Sequence, residues 1–352
     1  MIEGDRLKKN KFNIMILFIL FIFLFSLSSC SFRNDDNNID DGTISYNNKS
    51  DDEFIIPESN NPNGYKIIYN CNNDNIYEST STLDNKAINP GTPTKPCAKF
   101  LGWYSDSECT KSFDFNTKVR GDLTLYAGWE IDTLALTTTI YQSTIKSNVK
   151  ITSQPHTRII NSSTINQGSG VIFFEDNTKY YILTNNHVTY YNTKEYTGST
   201  YIVTDCYGNQ YEAQLVNMNA NYDLAILTIR KELAPKKLAV TNICNYDIKK
   251  NDLCLSIGSP DGLYNSISYG KVLEYMPFNP ESDTLHLNNV TFDVIINDSY
   301  IHSGSSGGAL IDSNLKIAGI QFASASNYND EFVRAYAVPA SKILEYVNSI
   351  LK

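Results

Sequence analysis

Eight residues near the C-terminus, Ser303-Gly304-Ser305-Ser306-Gly307-Gly308-Ala309-Leu310, join a hydroxyl to a backbone that can turn sharply around it. Glycines before and after Ser306 let the chain fold tightly and expose main-chain N–H groups. Two of these, on Gly304 and Ser306, can face one oxyanion with the Ser306 hydroxyl beside them, which is what acyl transfer to serine requires. A serine hydroxyl is a weak nucleophile at neutral pH, so it needs a base, and the base needs an orienting carboxylate. The histidines are His156, His187, His286 and His302. Only His187 directly follows a strand-like run, Tyr180–Thr184, in Leu183-Thr184-Asn185-Asn186-His187-Val188. Asp223 stands at the mouth of an apolar run in Asn221-Tyr222-Asp223-Leu224-Ala225-Ile226-Leu227. His302, four residues before Ser306, reads as a rim residue, and Asp205 lacks the apolar strand that would bury it.

The elements around these residues are short and strand-like. Runs at Val171–Phe174, Tyr180–Thr184, Tyr201–Thr204, Tyr211–Val216 and Leu224–Ile229 are separated by turns such as Tyr207-Gly208-Asn209. A second set follows at Leu253–Ile257, Ser266–Glu274, Val290–Ile296, Gly307–Ile311, Ile317–Ala323 and Arg334–Ala337. Strands at this spacing argue for an all-β barrel architecture. The pattern fits two six-stranded barrels, with His187 and Asp223 from the first and Ser306 from the second. A site divided this way lies in a groove that accepts an extended peptide. After Pro339, Ile343, Leu344, Val347, Ile350 and Leu351 recur at helical spacing, which predicts a terminal helix on the second barrel. An α/β-hydrolase is excluded by chain order and by the lack of alternating helices.

Residues from about 156 to 345 resemble the trypsin-like serine proteases of the HtrA-like bacterial branch. The resemblance rests on Gly168-Ser169-Gly170-Val171, Thr184-Asn185-Asn186-His187-Val188 and Tyr222-Asp223-Leu224-Ala225. It continues through Leu255-Ser256-Ile257-Gly258-Ser259-Pro260 with Gly262, Ser268-Tyr269-Gly270-Lys271-Val272, the Ser306 loop and Ala337-Val338-Pro339, all in family order. The order His187, Asp223, Ser306 is also that of the two-barrel serine proteases. The resemblance implies that Ser306 is the nucleophile, His187 the base and Asp223 its orienter, with Gly304 and Ser306 forming the oxyanion hole. It implies no metal and no cofactor. It also places Tyr300 at the base of the specificity pocket, six residues before the nucleophile. No acid lies from Ser299 to Ser306 and Asp298 is the nearest, so small or medium apolar residues are expected at the cleavage site. The chain stops at Lys352, so the PDZ domain common in this family is expected to be absent. Such enzymes are often trimers, which makes a homo-oligomer an expectation by analogy.

The chain's 352 residues carry a net charge of −9 without a basic block, which argues against nucleic acid as a partner. Lys8, Lys9 and Lys11 precede an apolar run from Ile14 to Phe25 and then Leu27-Ser28-Ser29-Cys30. A basic segment followed by an apolar one of this length forms a secretion signal. The small residues before Cys30 resemble a bacterial lipobox, so residues 1–30 are expected to be a lipoprotein signal, with Cys30 acylated at the extracellular face of the membrane. The competing expectation is an uncleaved helix over Phe12 to Phe32, which is just long enough to span. Six cysteines remain outside the cytoplasm, where disulfides are permitted, but their spacing forms no dense framework. Cys254 lies in a strand and reads as a small core residue.

Residues 31–64 are dominated by Asn, Asp and Ser and are read as a solvated tether. Residues 65–130 form a separate small unit with Phe100-Leu101-Gly102-Trp103-Tyr104 and Leu123-Thr124-Leu125-Tyr126-Ala127-Gly128-Trp129. It resembles a single internalin-type B repeat, a β-grasp-like module of bacterial surface proteins that can carry a surface ligand. Trp103 and Trp129 are expected to form its small core. A Thr/Ser-rich linker at 131–155 then leads to the protease domain at 156–352. The whole is expected to be a surface-anchored serine endopeptidase acting on a protein or peptide substrate. The alternative is a non-catalytic adhesin or scaffold with a degenerate protease domain, which the complete Ser-His-Asp set opposes.

Overall fold

The computed structural model describes residue 54 and residues 61–73, 75–157, 165–190, 196–260, 263–278 and 289–351. Residues 1–30 with Cys30, most of the 31–64 tether, Gly262 and His286 lie outside the described residues.

The first body is a small sheet of β1 (Lys66–Asn70), β2 (Ile76–Thr80), β3 (Ala98–Tyr104) and β4 (Leu123–Ile131), ordered β2-β1-β4-β3. β1 and β4 pair in parallel and the other neighbours antiparallel. Its core gathers Ile67, Tyr69, Trp103, Leu125 and Ala127, with Trp129 packed against them. Both indole N–H groups find carbonyls, Trp103 at Gly91 and Trp129 at Cys71, so burying these rings leaves no donor unpaired. Phe54, expected in the solvated tether, instead lies 5.0 Å from the Tyr77 ring.

The segment expected to be a linker, 131–155, is ordered secondary structure. Asp132 caps a helix, α1 (Thr133–Gln142), by accepting from the Ala135 N–H. Thr137, Thr138 and Thr139 each return their hydroxyl to the carbonyl four residues back, which keeps these otherwise poor helix formers satisfied. Leu136 and Ile140 point inward and are fully buried. Then β5 (Asn148–Thr157) forms a wall of the first barrel.

That barrel closes in the order β10-β7-β6-β5-β8-β9 with β6 (Asn166–Glu175), β7 (Lys179–Thr184), β8 (Tyr196–Thr204), β9 (Gln210–Asn219) and β10 (Leu224–Arg230). The second closes as β11-β12-β13-β16-β15-β14. It comprises β11 (Leu253–Gly258), β12 (Ser266–Pro277), β13 (Asp293–Asn297), β14 (Ala309–Asp312), β15 (Ile317–Ser326) and β16 (Phe332–Pro339). The protein is therefore mainly β, with two closed six-stranded barrels and a small β module before them.

Between β7 and β8 lies one short helical turn, α2 (Asn186–Thr189), and the terminal helix is α3 (Ala340–Ile350). One continuous apolar cluster holds the barrels together. It includes Leu136 and Ile140 of α1, Leu183 and Leu224 of the first barrel, Leu255 and Ile320 of the second, and Ile343 and Tyr346 of α3. Helix α3 packs on the second barrel as expected, and Tyr346 also donates to Asn217 on β9. Both helices thus bridge the barrels and fix the groove between them. The described cysteines, Cys71, Cys97, Cys109, Cys206, Cys244 and Cys254, are all free thiols, and Cys254 is fully buried in the second barrel as read.

Candidate active site

Strand register brings the first two residues together. β10 and β7 are antiparallel with Ala225 opposite Thr184, so extending the ladder sets Asp223 beside the Asn185–His187 turn. Asp223 adopts φ 49°, a left-handed conformation that costs energy for a side-chain-bearing residue but is tolerated by aspartate. This twist turns the carboxylate onto His187. Oδ2 accepts from Nδ1 at 2.8 Å and Oδ1 accepts from the His187 main-chain N–H at 3.0 Å. With Nδ1 donating to a carboxylate, Nε2 is left as the basic nitrogen. Asn185 then donates its amide to the Asp223 carbonyl at 2.9 Å, which locks the strained turn. Asp223 is completely buried, whereas the His187 side chain is 22% exposed, a dyad with its carboxylate sheltered and its imidazole at the surface of the groove.

The Ser306 loop, between β13 and β14, folds on itself. Ser305 donates its N–H to His302 O at 2.9 Å, Gly308 donates to Ser305 O at 2.8 Å, and the Ser305 hydroxyl accepts from the His302 N–H at 3.2 Å. Gly307 takes φ 85°, and a Cβ there would lie 2.2 Å from Ser169 O and 2.3 Å from Thr184 Oγ1. Any larger residue would lift the loop off the first barrel. The Ser306 carbonyl accepts from Ser169 N–H at 2.7 Å, and Gly307 donates to Gln321 O at 2.8 Å. Among the described residues, the N–H groups of Gly304 and Ser306 make no hydrogen bond. No hydrogen bond joins Ser306 Oγ to His187 Nε2 either; such contacts are often long before substrate binds.

The rival candidates are occupied elsewhere. Asp205, expected to lack burial, is 1% exposed, but its carboxylate is saturated by its own hairpin. It accepts from Tyr207 N–H, from Asn209 N–H and amide, and from Tyr211 OH. His302 is exposed and its ring stacks 6.4 Å from Tyr300. His156 contacts Thr200 on the outside of the first barrel.

A cavity of about 290 Å³ adjoins the loop, lined by residues including Ser256, Ile257, Tyr300, Ile301, Ser305 and Gln321, none of them charged. Asp298 is turned away, accepting the Lys271 N–H on β12 at 2.6 Å. Beneath it lies a buried polar network that sequence reading did not find. Gln321 donates to Ser256 Oγ and Asn297 Oδ1, and Ser299 bonds to both Ser256 and Asn297. The network holds the side chain of the residue whose main chain braces Gly307. Among the described residues, no group of His, Cys, Asp and Glu side chains could hold a metal.

Residues 168–320 match the trypsin-like peptidase domain family, and residues 65–128 match the Listeria–Bacteroides repeat domain family. The chain thus carries a trypsin-like peptidase domain preceded by one such repeat. Its relatives include the serine protease Do-like HtrA of Bacillus subtilis, 29% identical over 191 residues that make up 52% of this chain and 39% of the relative. The serine endoprotease DegS of Haemophilus influenzae is 31% identical over 189 residues, 53% of this chain and 49% of the relative. The chain spans less than half the length of these curated relatives. Among solved structures, the HtrA-type protease AlgW with a tripeptide aligns at a TM-score of 0.47 and 27% identity, covering 62% of this chain and 64% of that one.

Proposed function

We propose that the protein is a serine endopeptidase with Ser306 as nucleophile, His187 as general base and Asp223 as its orienting carboxylate. The observation that carries this reading is the two-point bond of Asp223 to His187, beside a serine loop with two N–H groups that make no hydrogen bond among the described residues. Ser306 Oγ attacks the peptide carbonyl and passes its proton to His187 Nε2. The oxyanion settles on the Gly304 and Ser306 N–H groups, and the same proton then goes to the leaving amine as the acyl-enzyme forms. Water repeats the sequence in reverse to release the acid. Asp223 remains ionised throughout and stabilises the imidazolium.

The cleavage site takes a small or medium apolar residue. This is supported by the uncharged lining of the cavity beside the loop and by the outward turn of Asp298. The enzyme is held at the outer face of the cell membrane by a lipid on Cys30, a reading supported by the basic and apolar segments before Leu27-Ser28-Ser29-Cys30. The repeat offers a face for a surface ligand, and several copies assemble as in related enzymes.

Incubating the purified protein with an unfolded protein substrate tests the central reading. Peptide-bond cleavage is expected, and it is expected to vanish in Ser306→Ala. Cleavage that survives this substitution would refute the assignment, and an inert wild type would favour the non-catalytic scaffold.

A further inference from the structure

Ser169 sits on β6 of the first barrel, is fully buried, and yet makes its side-chain hydrogen bonds to the second. Its hydroxyl donates to Gly304 O at 2.7 Å and accepts from the Ser259 N–H at 2.8 Å. Gly304 has no side chain and takes φ 92°, so its backbone has little intrinsic restraint. Within the turn around it, the Ser305 N–H donates to the His302 carbonyl and the His302 N–H donates to the Ser305 hydroxyl. Among the described residues, the Ser169 hydroxyl is the one group outside that turn that bonds Gly304. Among the described residues the Ser259 hydroxyl has no partner, and the contact with Ser169 is made by the Ser259 main-chain N–H.

We propose that Ser169 is a positioning residue for the oxyanion site: its hydroxyl bridges the two barrels and pins Gly304, so that the N–H groups of Gly304 and Ser306 stay aimed at one point. This rests on the proteolytic reading above and deepens it. A peptide plane beside a glycine turns over at little cost, and a hole with one N–H turned away stabilises the oxyanion far less. A hydroxyl supplied by the first barrel also makes the oxyanion site depend on correct seating of one barrel against the other, independently of the contribution of His187 and Asp223.

Ser169 also bonds through its main chain, donating its N–H to Ser306 O and accepting from Thr184 Oγ1. Those bonds survive a side-chain change, so Ser169→Ala removes the hydroxyl latch alone. The expected result is a fall in kcat of about 10- to 100-fold with KM within about twofold. A peptide boronic acid places an anionic oxygen in the hole, so its affinity should fall by a similar factor. A product-like peptide, which needs no oxyanion, should bind as to the wild type. Ser169→Cys keeps most of the volume with a weaker donor and should give a smaller loss of boronate affinity, and it carries the test if the alanine variant does not fold. A folded variant with wild-type kcat and boronate affinity would overturn the proposal, as would equal weakening of boronate and product peptide. An inert wild type would instead refute the proteolytic reading itself.

Discussion

Asp223 accepts two hydrogen bonds from one residue: His187 gives its main-chain N–H to Oδ1 and its ring Nδ1–H to Oδ2. The carboxylate therefore sets both the position of the histidine and its tautomer. Asp223→Asn keeps the size and the tolerance of φ 49° but replaces one acceptor with a donor, which favours the wrong tautomer. We expect kcat to fall about 10⁴-fold with thermal stability nearly unchanged, measured by steady-state hydrolysis and melting. Combining it with His187→Ala should add little, because the groups act as a unit. Losses that multiply would contradict this.

Helix α1 belongs to the fold of the protease domain. Leu136 is fully buried in the apolar cluster that both barrels share, so Leu136→Ala should destabilise the protein by about 2–5 kcal/mol in urea unfolding. An unchanged midpoint would return residues 133–142 to the status of a connector.

The repeat should fail in alkali in a defined window. Burial pushes both the Tyr69 hydroxyl and the Cys71 thiol up to about 12, from ordinary values of 10.0 and 9.0. The folded repeat holds both groups neutral, so their contribution is complete below about pH 9 and is lost as pH rises toward 12. The protein's two tryptophans, Trp103 and Trp129, both lie in the repeat, so their fluorescence reports this unit directly. A sigmoidal change between pH 9 and 12 is expected; a flat trace would show that these groups are not held neutral by folding.

Much of this architecture was legible because its signals are local. Ser306 announces itself by flanking glycines, and His187 and Asp223 by their places at the ends of apolar strands. Strand β5 is hard to read because Ser153 and Pro155 follow Val149 and Ile151 at its inward positions, and a serine and a proline break the apolar, β-favouring alternation. Helix α1 was missed because its threonines read as loop residues, and only the hydroxyl bonds to the preceding turn show how the helix accommodates them. The latch from Ser169 to Gly304 joins residues 135 positions apart, and nothing in the Gly168-Ser169-Gly170 triplet says where that hydroxyl points.

The anchor is tested by Cys30→Ser. If the cysteine carries the lipid, the variant should leave the membrane fraction in carbonate washes. Retention as firm as that of the wild type would point to the uncleaved helix.

The central claim is tested most directly by an active-site probe on the intact chain. In digestive relatives an acid just before the nucleophile pairs with an amine created by cleavage; here that position is Ser305, whose neutral hydroxyl is already bonded to the His302 N–H. The loop is braced by its own hydrogen bonds and by those from Ser169 and Gln321, so activity is expected without a cut near Ile159 or Ile165. A fluorophosphonate should label Ser306 in protein still joined to residues 31–130, with labelling abolished by Ser306→Ala and strongly slowed by His187→Ala. Labelling confined to a fragment that begins near the first barrel, or absent from every form, would contradict the account.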